Sequence, residues 1–144
     1  LGTKFNFDFW TNNIPRRSTY NACRAVIAAA KQGFQVPMLE VIQHGYYLRA
    51  LNPSDSEVLI GLATELAKQN NKSKLAFNLS RFKNDFNSAE TQQRLMRQVQ
   101  LAKELTNQGF PSLVLEYRGF RRQIRLNYKD YQASLADIRS VLAE

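Results

Sequence analysis

Apolar residues recur every three or four positions through most of the chain before Gly109, which is the spacing of amphipathic helices. The pattern predicts five consecutive helices that pack as a small bundle. The first covers about residues 19–31, and the second begins near Pro37 and runs to about residue 51. The inward positions of the other three are predicted to be Val58, Leu59, Leu62 and Leu66; Leu75, Leu79, Phe82 and Phe86; and Leu95, Val99, Ala102 and Leu105.

Residues that favour helix ends separate these segments. Ser18 is placed to cap the first helix, and residues 54–57 have the spacing of a capping box for the third. The fifth helix is predicted to follow Ser88 and to end at Gly109. The aromatic segment up to Arg17 fits either a short extended piece or a helix end. The inward positions of the first two helices are predicted to be Tyr20, Cys23, Ile27 and Ala30, and Met38, Val41, Ile42 and Tyr46.

After Gly109 the pattern changes to that of strands. Residues 113–115, Leu-Val-Leu, are consecutive apolar positions, which is typical of a strand covered on both faces. A tight turn at Arg118-Gly119 follows, and residues 120–126 then alternate as in a half-exposed edge strand. Asp130 precedes a last helix. Its inward positions are predicted to be Tyr131, Leu135, Ile138 and Leu142.

The apolar strand raises a question of partners. Burying one Leu or Val side chain contributes ~1.5–3 kcal/mol, which is a large part of a total stability of ~5–15 kcal/mol. A two-stranded sheet is marginal in water, and the hairpin offers residues 113–115 only one neighbouring strand. The segment therefore fits the middle of a sheet that these residues do not complete.

Composition and charge exclude several classes of protein. The 44% hydrophobic content is too high for a disordered chain, and the longest apolar run, residues 25–30, is far shorter than the ~20 residues of a membrane span. The net charge of +8 fits either a nucleic-acid surface or a solvated basic surface. The second is favoured, because the basic residues are scattered along the helices. Nucleic acid is therefore an unlikely partner.

The reactive residue types are few. With one cysteine, Cys23, and one histidine, His44, the chain has neither an internal disulfide nor a Cys- or His-rich metal site. Cys23 is expected to be a small apolar residue on a helix face. His44 is expected to be a surface or groove residue rather than a catalytic one. No metal and no cofactor is predicted.

Three stretches in the same order resemble a known family. They are "RSTYNACRAVIAA" at residues 17–29, "IQHGYYLRALNPSD" at 42–55 and "GFPSLVLE" at 109–116. All three are similar to segments of the DsbA-like proteins, bacterial thioredoxin-fold proteins described as predicted protein-disulfide isomerases. The resemblance implies an α/β thioredoxin-like fold that is predominantly helical here. It implies a helical insertion domain over residues 1–108 and the second half of the thioredoxin fold over 109–144.

The sequence departs from the family at its start. Family members begin with a strand, a Cys-x-x-Cys at a helix start, and a further strand, and none of these is in this sequence. The resemblance therefore implies a C-terminal portion of a longer protein, whose β-α-β unit would supply the missing strand neighbours. It places no catalytic residue in this chain, which is expected to be inactive alone. The sequence does not distinguish a cytoplasmic from a periplasmic location.

The resemblance assigns substrate binding to Phe110 and Pro111. In the family, the peptide bond before this proline is cis, and the backbone of the preceding residue pairs with an extended substrate. The implied function is part of a thiol-disulfide oxidoreductase or protein-disulfide isomerase acting on protein or small thiol and disulfide substrates. In it, this chain would supply the helices of the substrate groove and the proline loop.

Other interpretations remain open at this point. One is a peptide- or polyanion-binding module without redox activity, and another is a glutathione-using relative of the fold. Trp10 and the early phenylalanines would either pack in the core or line a substrate groove, and the core is favoured. Arg121, Arg122 and Arg125 are expected to guard an edge strand. If the chain folds alone, the strand from Ser112 to Tyr117 is expected either to pair with a second copy or to be covered by helices.

Overall fold

The structure, a computed structural model, is mainly helical and ends in a two-stranded antiparallel sheet and a helix. It describes residues 4–16, 18–70, 76–106 and 109–143. In chain order, the elements are α1 (Phe9–Asn12), α2 (Tyr20–Ala30), α3 (Gln35–Arg49), α4 (Ser56–Gln69), α5 (Leu79–Phe86), α6 (Ala89–Leu105), β1 (Leu113–Tyr117), β2 (Phe120–Ile124) and α7 (Tyr131–Ala143).

The chain divides into two compact units, Leu1–Met96 and Arg97–Glu144. The division falls within α6. The domain boundary expected at residue 108 stays a prediction. Among the described residues, no helix is long and apolar enough to cross a membrane.

The core of the first unit is formed by α2, α3, α4 and α5. The part that α2 contributes consists of alanines, which let the neighbouring helices approach closely. Gly45 has the same effect between α3 and α4, because a Cβ atom there would lie 3.3 Å from the side chains of Leu51 and Leu62. The core residues are Ala25, Ala28, Ala29, Phe34, Met38, Ile42, Leu59, Leu62, Ala63, Leu66, Phe77, Phe82 and Phe86.

The predicted inward face of α2 was partly wrong. Ile27 is buried as expected, but Tyr20 and Cys23 are exposed, and Ala25, Ala28 and Ala29 face the core instead. In α3, Met38 and Ile42 are buried, and Val41 and Tyr46 are half-buried, in agreement with the pattern. Leu75, assigned to the face of the fourth helix, lies outside the described residues.

Both predicted serine caps were wrong. The N-cap of α2 is Thr19 rather than Ser18, and the N-cap of α4 is Asp55, and neither makes a side-chain capping bond. The Ser54 hydroxyl lies near two backbone oxygens instead, 3.2 Å from that of Arg16 and 3.0 Å from that of Ser18. Ser54 therefore ties the segment before α2 to the start of α4.

The second unit contains the hairpin and α7. The register pairs Leu113 with Ile124 and Tyr117 with Phe120, so the loop is two residues long. Both loop residues have positive φ, 48° at Arg118 and 82° at Gly119, which is the geometry of the turn that matches strand twist. The predicted turn is therefore confirmed.

The second unit gives β1 one neighbouring strand, as predicted: among the described residues it pairs with β2 alone. Its faces are not fully covered either, since Val114 and Leu115 are half-buried and Leu113 is exposed. Tyr131 and Leu142, expected to face inward from α7, are exposed as well. On β2, Ile124 is buried and residues 120–123 are all exposed, so the alternation predicted over 120–126 is seen only at its end, where Arg125 is exposed and Leu126 is half-buried.

Candidate functional site

The loop before β1 presents Phe110 to solvent. Its side chain is 76% exposed, and Gly109 directly before it has φ of 80°, a conformation that favours glycine. The Phe110–Pro111 peptide bond is cis. The Ser112 hydroxyl donates a hydrogen bond to the Gly109 carbonyl and closes the loop on itself. An apolar ring is thus held outward at the start of the strand.

A cavity of about 540 Å³ lies beside Pro111. It is bordered by the start of β1 and by the end of β2 with the segment that follows it. The mixture of a hydroxyl, an amide and a guanidinium with apolar side chains suits a peptide-like ligand. The lining residues are Pro111, Ser112, Gln123, Ile124, Arg125, Leu126 and Tyr128.

One edge of β1 is open in the described part of the chain. A two-residue loop closes on a hydrogen-bonded pair, here Tyr117 and Phe120, and such pairs alternate along an antiparallel ladder. Val114 and Glu116 therefore direct their backbone N–H and C=O groups away from β2. Among the described residues, no hydrogen bond meets these groups from that side. The edge offers a row of donors and acceptors to an added strand.

The hairpin is positively charged, and some of the charge is paired. The Nε atom of Arg121 lies 2.7 Å from Oε2 of Glu116 on the adjacent strand. The guanidinium of Arg118 lies 4.9 Å from the ring centroid of Tyr117, in cation–π contact. Arg122 in β2 and Arg125 directly after it are exposed, as is Phe120.

The first unit holds the other residues considered from the sequence. Trp10, Phe5 and Phe7 are exposed, so the preference for core packing was wrong for these three, whereas Phe9 is buried. His44 is exposed and borders a shallow cavity of about 490 Å³ together with Lys4, Phe5, Glu40, Gln43, Tyr47 and Leu48.

Cys23 is an exposed free thiol on α2, which corrects its assignment to an apolar face. Within residues 4–16, 18–70, 76–106 and 109–143, no group of three or more His, Cys, Asp or Glu side chains is placed to hold a metal ion. Sequence reasoning also missed Asn52, a buried amide beside Trp10 in a second cavity of this unit. No spacing or motif marks it.

Comparisons with solved structures identify the fold. The chain is similar to a provisionally assigned protein disulfide isomerase from Nitrosomonas europaea, with 26% identity and a TM-score of 0.75 over 99% of this chain and 66% of that one. It is also similar to the cytosolic disulfide reductase DsbM from Pseudomonas aeruginosa, with 23% identity and a TM-score of 0.64 over 99% of this chain and 67% of that one. A structure of DsbM with GSH gives the same values.

The chain therefore spans about two thirds of the length of the proteins it matches. No family model matches the sequence, and no curated protein matches it.

Proposed function

We propose, from a chain that has the DsbA-like thioredoxin fold, that it is part of a thiol-disulfide oxidoreductase or protein-disulfide isomerase. In this proposal the chain contributes the helices that border the substrate groove and the Phe110–Pro111 loop. The similarity to the Nitrosomonas protein over 99% of this chain is the observation that carries the proposal.

The chemistry requires thiols that this sequence does not hold. In disulfide exchange, a thiolate attacks one sulfur of the substrate disulfide, forms a mixed disulfide and releases the other sulfur as a thiolate. A second thiol then resolves the mixed disulfide. Cys23 is the only cysteine of the sequence, so we place the reactive pair in a β-α-β unit outside it. Residues 1–144 alone are then inactive.

The proline loop and the open edge support the substrate-binding part of the proposal. Phe110 offers an apolar surface at the start of β1, and the outward backbone groups of Val114 and Glu116 continue along the same strand. An extended peptide can add to such an edge through main-chain hydrogen bonds, which do not depend on the side chains of the peptide. This arrangement suits an enzyme that acts on many unfolded proteins.

The test compares the complete product of the encoding gene with residues 1–144 in an insulin-reduction assay that uses glutathione as reductant. The complete protein should accelerate reduction, and residues 1–144 should not, with or without the Cys23→Ser substitution. A complete protein without thiol-dependent exchange, or an encoding gene without a second cysteine, would contradict the proposal.

Two phenylalanine variants of the complete protein test the loop. Phe110→Ala should raise KM for insulin by about fivefold, the loss expected for one apolar contact residue. Phe120→Ala removes a side chain that is equally exposed, at 80%, but lies at the far end of the hairpin. It should leave KM unchanged. Equal effects of the two variants would count against the assignment of Phe110.

Two other functions remain as alternatives. A glutathione-using enzyme is favoured by the DsbM structure with GSH, and retention of the complete protein on immobilised glutathione would support it. A polyanion-binding module without redox activity is favoured by the exposed arginines of β2. Binding to heparin that weakens steeply with salt, in a complete protein inactive towards insulin, would support this second alternative.

A further inference from the structure

We propose that a cavity in the first unit binds a small carboxylate that carries an apolar or aromatic group. The cavity has a volume of about 640 Å³, within the roughly 300–1,000 Å³ of small-molecule sites. It lies among α1, the segment that leads into α2, the second half of α3 and the middle of the α3–α4 connection. The inference rests on this unit alone and does not depend on the thiol-disulfide proposal.

Aromatic rings form the apolar wall of the cavity. The buried ring of Phe9 packs edge-on against Trp10 at a centroid distance of 5.2 Å and against Tyr46 at 4.9 Å. Ile42 adds a buried aliphatic side chain. Trp10 itself is largely exposed, so one face of its indole is free to cover a ligand.

Asn52 supplies a hydrogen-bond donor to the same cavity. The residue is only 5% exposed, and its Oδ1 accepts a hydrogen bond from the backbone N–H of Ser54 at 3.0 Å. This bond fixes the orientation of the amide. Its Nδ2 makes no hydrogen bond to any described residue, although it belongs to a side chain that lines the cavity. This atom is accessible to solvent, so a ligand oxygen in the cavity can replace water as its hydrogen-bond acceptor.

The N-terminus of α2 provides further hydrogen-bond donors near the same cavity. Ser18 and Thr19 line it, and Thr19 does not cap the helix with its side chain. The first backbone N–H groups of α2, at residues 20–22, have no hydrogen-bond acceptor among the described residues. Free N–H groups and the helix dipole favour an anion at this position.

Arg16 lines the cavity as well and determines the charge of the preferred ligand. Its guanidinium has one opposing carboxylate, Asp55, at 3.5 Å, and both side chains are open to solvent. An exposed ion pair of this length is weak and leaves the guanidinium able to bind a second anion. The lining of the cavity therefore combines hydrogen-bond donors with aromatic rings. A carboxylate with an apolar substituent matches both kinds of side chain.

The single tryptophan of the chain makes the test direct, because Trp10 reports occupancy through its fluorescence. Residues 1–144 are titrated with N-acetyl-L-phenylalanine and with N-acetyl-L-phenylalanine amide. The acid should cause a saturable change, and the amide should bind about tenfold more weakly, as expected for the loss of charge-assisted hydrogen bonds. No saturable change with the acid, or equal binding of the two compounds, would overturn the proposal.

Three variants assign the effect to the cavity. Asn52→Asp keeps an acceptor for the Ser54 N–H and replaces the donor with a negatively charged oxygen. It should therefore lower the affinity for N-acetyl-L-phenylalanine by about tenfold or more. Phe7→Ala removes an exposed ring of the same segment that does not line the cavity, and should change binding less than about twofold. If Asn52→Asp lowers the unfolding temperature, Arg16→Gln replaces it. Unchanged binding in a folded variant of either residue would overturn the proposal.

A last comparison separates two sources of the ligand. A free aromatic acid and the C-terminal residue of a peptide share the same chemistry. If acetyl-Gly-Gly-Phe with a free carboxylate binds more tightly than N-acetyl-L-phenylalanine, the natural ligand of the site is the C-terminal residue of a peptide. Weaker binding of the tripeptide supports a small free acid. Failure of both compounds to bind would overturn the proposal.

Discussion

Arg49 at the end of α3 and Glu65 in α4 form a two-point ion pair. Nη1 of the guanidinium lies 2.7 Å from Oε2 of the carboxylate, and Nη2 lies 2.9 Å from Oε1. The hydrogen bonds from Arg49 are the main cause that lowers the pKa of Glu65 below its ordinary value of 4.5. The same pair raises the pKa of Arg49.

We expect Glu65→Gln to lower the free energy of unfolding by about 0.5–1 kcal/mol at neutral pH, since both side chains are partly exposed. A lowered carboxyl pKa means that the contribution is complete above pH 4.5 and is lost as the pH falls through the pKa of the folded state. Urea unfolding at about pH 7 and about pH 3 measures the difference in the free energy of unfolding between the unsubstituted protein and Glu65→Gln. This difference should be smaller at about pH 3.

The matched control is Glu40→Gln. Glu40 is an exposed residue of α3 for which the structure shows no ion pair to a described residue. Its replacement should change stability by less than about 0.5 kcal/mol at either pH. A Glu65→Gln effect that is the same at both pH values would contradict the electrostatic explanation.

Lys31 connects α2 to the start of α6 and to α5. Its Nζ lies 3.0 Å from Oδ1 of Asp85 and 2.8 Å from Oε2 of Glu90, and its side chain is only 12% exposed. Lys31→Met would leave the mostly buried Asp85 carboxylate without its ammonium partner, so we expect a loss of about 2 kcal/mol in urea unfolding. Glu90→Gln should cost less than about 1 kcal/mol, because Glu90 is 70% exposed.

The pKa of Lys31 is raised above 10.5, first by the hydrogen bond to Glu90 and then by that to Asp85. For a raised lysine pKa, the stabilisation is complete below the ordinary value and is lost as the pH rises through the pKa of the folded state. The Lys31→Met effect should therefore be constant between about pH 6 and pH 9. Equal costs for the Lys31 and Glu90 variants would show that burial of Asp85 is not the cause.

Gly119 tests the hairpin turn. A Cβ atom at this position would meet nothing within 4 Å, so any cost of substitution comes from φ of 82° rather than from a clash. Gly119→Ala should destabilise the second unit by about 1 kcal/mol, and Gly119→Asn should cost less, since asparagine tolerates this conformation. Thermal unfolding of the two variants measures this. If Ala and Asn cost the same, the turn geometry is not the determinant.

The open edge of β1 predicts an alternation in amide exchange. The amides of Leu115 and Tyr117 point toward β2 and should be protected, whereas those of Val114 and Glu116 point away and should exchange quickly. Hydrogen exchange followed by NMR at low protein concentration measures each amide. Protection of Val114 and Glu116 that grows with concentration would show the predicted pairing of two copies through this strand. Protection that is independent of concentration would contradict the open edge.

The hairpin could be predicted because its signals are local. The Arg118-Gly119 turn fixes the register, whereas the alternation predicted from Phe120 onward is not seen in β2, where only Ile124 is buried. The helices were also found from periodicity. The start of α6 after Ser88 was also predicted, and the Ser88 hydroxyl accepts a hydrogen bond from the Thr91 N–H. The capping box at residues 54–57 was wrong, because the Ser54 hydroxyl has competing partners in the backbone oxygens of Arg16 and Ser18, which are far away in sequence.

The candidate sites, too, depend on contacts that the local sequence does not reveal. Phe110 and Pro111 could be named only from a family resemblance, because an exposed ring before a proline has no pattern of its own. Asn52 was missed, since its free amide follows from a hydrogen bond and a cavity that exist only in three dimensions. Cys23 was misplaced because alanines signal a buried face weakly, so a larger residue was chosen in their place.

The alanine face of α2 has a consequence for how this unit can vary. Ala25, Ala28 and Ala29 have no exposed surface at all, so their methyl groups act as spacers that set the separation between helix axes. Interiors this dense do not absorb added methylene groups without moving backbone. Substitutions at these three positions are therefore restricted by volume as well as by polarity, whereas exposed positions of the same helix, such as Cys23, can vary in both.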